Sequence, residues 1–366
     1  MTSESFLELF ASLSLQTAIV ILLTSWLSLR TVNFTVRDRL WQLSQWLILT
    51  LTAAGVCLPH YRWMVFSSLV PDGWQSGLTI GLRQTAVFVG VAWAISSLVS
   101  LLRLVWGIRQ GHRIVSESSA PPGDWLVALL PDGRLPRVCM SDQVSTPFLW
   151  QLHDPAIVLP VRTKFLPQGE VQAILRHELA HLRAGHPVQL FVQRLVEVLY
   201  WFHPLVWRAS RSIAVVREVR CDEQAARTAA EARDLLNGLT HFLEDCSASG
   251  QSRIAVTLAG TPSILRERII HLLHHHLRSD VSPQVQVSRS MAFYAALTAA
   301  SLVISGCLWL PISPTASPRS PWSPWPRWSA QSLDSLGIEV RDYEIDGHRW
   351  SAHTHLSHTT AGEEVR

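Results

Sequence analysis

The run Ile174-Leu175-Arg176-His177-Glu178-Leu179-Ala180-His181-Leu182-Arg183 carries the pattern His-Glu-x-x-His. On a helix, residues four apart share a face, with Cβ atoms about 5–6 Å apart. Two imidazoles so placed can hold one zinc ion at about 2.0–2.1 Å each. Glu178 then lies beside a water on that ion, where a carboxylate can take a proton and later return one to a leaving amine. Val171, Ile174, Leu175, Leu179 and Leu182 recur at helical spacing, which predicts a helix over 170–184 with one buried face. The chain has 16 His, so the five-residue pattern alone also fits chance, and the residues C-terminal to it have to decide.

A zinc enzyme needs a third protein ligand, an open position, and a carboxylate that orients a ligand His. The segment Arg217-Glu218-Val219-Arg220-Cys221-Asp222-Glu223, on a helix expected over 211–230, offers both acids four residues apart. Four acids compete: Glu197, Glu218, Asp222 and Glu223. Glu197 lies in an apolar helix beside Arg194. Glu223 is five residues past Glu218, and at about 100° per residue it points about 140° away. Asp222 shares the face of Glu218 but has a shorter side chain. It is expected to accept the second N–H of a ligand His, taken to be His181, while Glu218 reaches the ion.

Further motifs occur in order: Ser145-Thr146-Pro147-Phe148, Pro155-Ala156-Ile157-Val158-Leu159-Pro160, Trp201-Phe202-His203-Pro204-Leu205-Val206-Trp207, and Arg268-Ile269. With the two segments above, they make residues 138 to 275 resemble the membrane metallopeptidases of the MecR and BlaR antirepressor type. The resemblance implies an α-helical membrane protein with a cytoplasmic α+β zincin-like (gluzincin) domain, in the bacterial cytoplasmic membrane. It implies Zn2+ held by His177, His181 and Glu218, with Glu178 as catalytic base and Asp222 behind a ligand. It also implies a protein or peptide substrate: the chain itself, or a cytoplasmic transcriptional repressor, cut after an outside signal. Two positions depart from the family pattern. His203 stands where Asn is usual and His186 where Asp is common; each is a structural residue or a group facing the substrate. Pro147 and Phe148 are read either as an edge strand that receives substrate or as a core strand. Two alternatives stay open. One is a general quality-control protease of the HtpX type, and the other is a scaffold that binds zinc without turnover. The Trp201–Trp207 run and a span after the zinc domain favour the antirepressor type, and Glu178 argues against the scaffold.

Hydrophobic residues make up 48% of the 366 and charged residues 16%, which suits a membrane protein better than a soluble one. The net charge is +3 without basic runs, so no nucleic acid partner is expected. Four transmembrane helices are predicted, over 10–29, 43–58, 84–106 and 291–310. The first competes with a signal peptide, but Glu4 and Glu8 replace the basic start such a peptide wants. The predicted domains are a membrane region 1–109, a zinc domain 110–289, a fourth helix 290–310, and a tail 311–366. Arg30, Arg37 and Arg39 mark a 31–42 loop as cytoplasmic, and Arg109, His112 and Arg113 do the same for the zinc domain. The N-terminus and the tail are then outside. The tail reads as a Pro/Ser/Trp-rich linker, then a β-hairpin around Asp346-Gly347. His274 to His276 read as a polar helix face; His353, His355 and His358 could bind a metal weakly. The five Cys form no Cys-x-x-Cys pair, so no disulfide framework is indicated, and Cys221 reads as a packed thiol. The best-known relatives carry an outside penicillin-binding domain acylated at Ser-x-x-Lys. The sole lysine here is Lys164, so no acylation by β-lactams is expected.

Overall fold

The computed structural model describes residues 3–58, 60, 72–122, 136–150, 155–248, 262–277, 309–310, 332 and 335–337. The chain is mostly helical. Helices α1 (Ser3–Arg30), α2 (Phe34–Cys57) and α3 (Asp72–Glu117) come first. Strands β1 (Arg137–Ser141), β2 (Phe148–Trp150) and β3 (Ala156–Pro160) are next. Then come α4 (Gln168–Ala184), α5 (His186–Leu199), α6 (Pro204–Ala225), α7 (Ala229–Ala248) and α8 (Pro262–Leu277). The fourth expected span, the linker and the hairpin fall almost wholly outside the described residues.

Three helical stretches are long and apolar enough to cross a membrane: Phe6–Arg30, Phe34–Cys57 and Ile80–Glu117. The second corrects the expectation of a 31–42 loop. Asn33 Oδ1 accepts from the backbone N–H groups of Thr35 and Val36, at 2.8 and 3.3 Å, and so starts α2 at Phe34. Only residues 31–33 connect the two helices. The charges of Arg37, Asp38 and Arg39 suggest a loop, but they sit on the first turns of a helix. Helix α3 runs unbroken for 46 residues. At 1.5 Å per residue that is about 69 Å, more than twice the roughly 30 Å hydrocarbon core.

The chain divides into two compact units. One is drawn from Met1–Thr24, Leu43–Ser97 and Ala292–Arg366. Within it Glu8 is buried, and Trp309 Nε1 donates to its carboxylate at 3.2 Å. The rings of His60 and Trp309 stack with centroids 3.6 Å apart.

The other unit combines Ser25–Gln42 with Leu98–Met291. Its three-stranded sheet has the order β1-β3-β2, with β1 parallel and β2 antiparallel to β3. Strand β3 is buried along its whole length. Val138, Ile157 and Leu159 from the sheet pack on Val171, Ile174 and Leu175 of α4 and Phe242 of α7. Each such side chain contributes about 1.5–3 kcal/mol by leaving water. On its other side α4 places Ala173 against Ala225, Ala226, Leu235 and Leu272. Helix α7 lies close to α4: a Cβ on Gly238 would come within 2.9 Å of Ile174 Cδ1. Thus α4 is held on two sides by apolar contacts, and its polar face is fixed in place.

Helix α6 runs from Pro204 to Ala225, starting before the residue 211 expected for it and ending before 230. Proline lacks an N–H and suits the first helical position, so Pro204 opens the helix that carries Glu218 and Asp222.

Candidate metal centre

Helix α4 presents His177, Glu178 and His181, and α6 presents Glu218 and Asp222. His177 Nε2 lies 3.0 Å from His181 Nε2 and 3.4 Å from Glu218 Oε2. His181 Nε2 lies 3.7 Å from Glu218 Oε1. Ligand atoms sharing a tetrahedral zinc at about 2.0–2.1 Å stand about 3.3 Å apart. Two imidazole nitrogens and a carboxylate at these separations fit a borderline-soft divalent ion. The Glu218 side chain keeps 23% of its exposure and His181 13%, so one side of the triangle stays open.

The far nitrogens of the two rings meet different partners. His177 Nδ1 lies 2.9 Å from Asp222 Oδ1, in a close but bent contact. Asp222 therefore faces His177; the expectation that it would serve His181 is corrected. Position 222 is one turn beyond 218 on α6, and that places its carboxylate behind the nearer ring. Asp222 is fully buried, and Arg268 of α8 donates to both its oxygens at 2.8 and 2.7 Å. The same guanidinium is 3.3 Å from Glu218 Oε2. Spacing gives no sign of this role for Arg268, which lies 46 residues from Asp222.

The other ring, His181, turns its Nδ1 to His186 Nδ1 at 2.8 Å. Gly185 makes that possible: its φ of +72° ends α4 in the left-handed region and folds the chain back. Cys221 Sγ also lies 3.4 Å from His186 Nδ1. His181, His186 and Cys221 thus form a second cluster of three donors.

The electrostatics divide the groups. Burial disfavours a charged His177, but Asp222 and Glu218 outweigh it and lift the ring to about 9. Burial pushes His181 well below the usual imidazole range. Burial works to raise Glu218, yet His181, His177 and Arg268 hold it well below the usual carboxylate range. Burial dominates at Glu178 and pushes its carboxyl up to about 7. A group titrating near neutrality is suited to proton transfer in both directions.

The remaining acids and histidines lie elsewhere. Glu197 accepts from Gln193, Arg194 and Ser210 at 2.9, 2.6 and 2.6 Å. Glu223 meets His271 Nε2 at 2.9 Å. His203 precedes α6 and belongs to neither donor cluster among the described residues. Phe148 starts the outer strand β2, with Pro147 just before it, and packs on Val115, Cys139, Ala156 and Val158. Strand β2 lies beside α4.

Residues 8–272 match the family model described as BlaR1 peptidase M56. The chain belongs to that family. A curated relative, the regulatory protein BlaR1 of Bacillus licheniformis, is 28% identical over 88 residues. The match covers 24% of this chain and 15% of the relative, so the chain matches a small part of that protein's length. Membership of a peptidase family accords with the donor set at this centre, and three helices are long and apolar enough to cross a membrane.

Proposed function

We propose that this M56 member is a zinc endopeptidase in which His177, His181 and Glu218 hold the metal and Glu178 transfers protons. The observation that carries this reading is the convergence of two ring nitrogens and a carboxylate, 3.0 to 3.7 Å apart, with an open side. Bound zinc would supply Lewis acidity to the scissile carbonyl and to the attacking water. Glu178 takes the water proton and delivers it to the leaving amine. Arg268 holds the Asp222 carboxylate, which keeps His177 in one tautomer and one orientation. Among the described residues no strand pairs with the outer edge of β2, which begins at Phe148, and an extended substrate would pair there by backbone hydrogen bonds.

The wider reading is a sensor-transducer with a zincin-like α+β domain. The zinc domain, about 110–289, faces the cytoplasm. The membrane region 1–109 and a fourth helix over 290–310 carry the N-terminus and tail 311–366 outside. An outside signal leads to cleavage of the chain itself or of a cytoplasmic repressor. The full-length protein in detergent tests the enzymatic core. One zinc per chain is expected, with cleavage of itself or of an unfolded protein substrate that chelation stops and zinc restores. Zinc bound without any cleavage would leave the scaffold reading standing instead.

A further inference from the structure

A buried chain of polar contacts leads from the metal centre to the N-terminal turns of α2, the second membrane-capable helix. It starts at His181. If Nε2 is the metal-binding nitrogen, then Nδ1 must carry the hydrogen, because a neutral imidazole has one N–H. That N–H donates to His186 Nδ1, 2.8 Å away. His186 Nδ1 is then an acceptor, so its own hydrogen sits on Nε2. Nε2 faces Asp38 Oδ2 at 3.4 Å. Asp38 is 1% exposed and His186 2%, so the contact between them is shielded from water.

Asp38 is itself held. Its Oδ2 accepts from Arg220 of α6 and, at 2.6 Å, from Gln42 Nε2 one turn along α2. The segment that carries it is anchored as well. Phe34 meets the His271 ring of α8 edge-on at 4.7 Å, and Arg37 Nε donates to Ser28 Oγ at 3.1 Å. Residues Ser25–Gln42 belong to the peptidase unit although they end one apolar helix and begin the next.

We infer that Asp38, acting through His186, is a positioning residue for the metal ligand His181. The inference rests on the zinc centre proposed above and deepens it. His177 has its carboxylate on α6, supported by Arg268. His181 has its carboxylate on α2, relayed by a second imidazole and supported by Arg220. The two ligands are therefore oriented from different parts of the chain, and that of His181 comes from the N-terminal turns of α2. A displacement of the start of α2 alters the ring that binds the metal without touching the substrate side. The competing reading of the same atoms is a second ion held by His181, His186 and Cys221. The 2.8 Å separation of the two Nδ1 atoms suits a hydrogen bond better than two ligands of one tetrahedral ion, about 3.3 Å apart.

The test is zinc affinity of the full-length protein in detergent, by chelator competition, with stoichiometry and thermal unfolding alongside. His186→Ala should weaken zinc by roughly 10–100-fold, the usual loss when a ligand's hydrogen-bond partner is removed. His186→Asn should restore most of it, because Asn Oδ1 occupies the place of His Nδ1 and accepts the same hydrogen. Asp38→Asn should weaken zinc about tenfold beside His186 and have almost no effect beside Asn at 186, which cannot reach it. Unchanged affinity in His186→Ala, or an equal effect of Asp38→Asn in both backgrounds, overturns the relay. Should Asp38→Asn fail to fold, the pair of variants at 186 decides alone, since both leave Asp38 and Arg220 in place. Two zinc ions per chain, one of them lost in Cys221→Ser, would establish the second ion site and overturn the relay. Retention of zinc by both His177→Ala and Glu218→Ala would instead remove the proposed centre itself, a result independent of position 186.

Discussion

Asp222 Oδ1 stands 2.9 Å from Nδ1 of His177, while its own two oxygens are bound by Arg268. This carboxylate is thus shared between a ring that must be aimed and a cation that must be neutralised. Glu218, one turn earlier, touches the metal side of both rings. The two acids should fail differently. Glu218→Ala is expected to strip zinc and peptidase activity together. Asp222→Ala should weaken zinc by roughly 10–100-fold and leave activity at saturating metal. It should also destabilise the protein by up to about 3–5 kcal/mol, because buried Arg268 loses both its hydrogen bonds to Asp222 and keeps only the Glu218 carboxylate at 3.3 Å. Chelator competition and thermal unfolding measure both; full zinc binding by the Glu218 variant with none in the Asp222 variant reverses the roles.

Glu178→Gln separates binding from chemistry. The ligand atoms are untouched, so zinc affinity should stay within a few-fold. The rate should fall by roughly 10²–10⁴, the range for loss of a general acid–base group. Cleavage at the wild-type rate by the purified variant would remove Glu178 from the mechanism.

Zinc binding should release protons. In the metal-free protein His177 titrates at about 9, so at a pH of about 7.5 the ring is charged. It must be neutral to bind. Affinity should therefore rise about tenfold per pH unit up to about 9 and then level off. The sign for stability in the metal-free state is the reverse. A ring with a raised folded pKa stabilises fully below its unfolded value near 6.5, and that contribution is lost as pH rises through about 9. Calorimetry in buffers of different ionisation heat reads the release directly; none near neutral pH contradicts a protonated His177.

Topology has its own check. Reporter fusions after residues 115 and 330 should fall on opposite sides of the membrane if a helix crosses between them. The same side for both removes the fourth span.

A fluorescent penicillin should leave this chain unlabelled. Its one lysine, Lys164, has Val161 three residues before it, so no Ser-x-x-Lys occurs in the 366 residues. Covalent labelling of the intact membrane protein overturns this.

Much of the centre is legible in the sequence because it is written at helical spacing. His177 and His181 share a face of α4, and Glu218 and Asp222 share one of α6, whatever the rest of the chain does. Spacing does not show which ring each acid meets, since that depends on how α4 and α6 cross. It assigns Asp222 to the wrong His for this reason. Spacing does not reveal the partners of Arg268, Arg220, His186 and Asp38, which lie 46, 182 and 148 residues away for the Arg268–Asp222, Arg220–Asp38 and His186–Asp38 pairs. The 31–42 segment misleads because charge suggests a loop, whereas an Asn cap and a buried pairing for Asp38 keep it helical.

Cys221 gives the buried relay a clock. Its sulfur is sealed from solvent against His186, and burial pushes the thiol well above its ordinary value, so alkylating reagents find neither access nor thiolate. Modification must wait until the contacts around His186 part. The labelling rate at this one atom then counts those openings, in the same way that amide exchange counts local unfolding. A stimulus that loosens the start of α2 around Asp38 would be heard there as faster alkylation, before any peptide bond is cut.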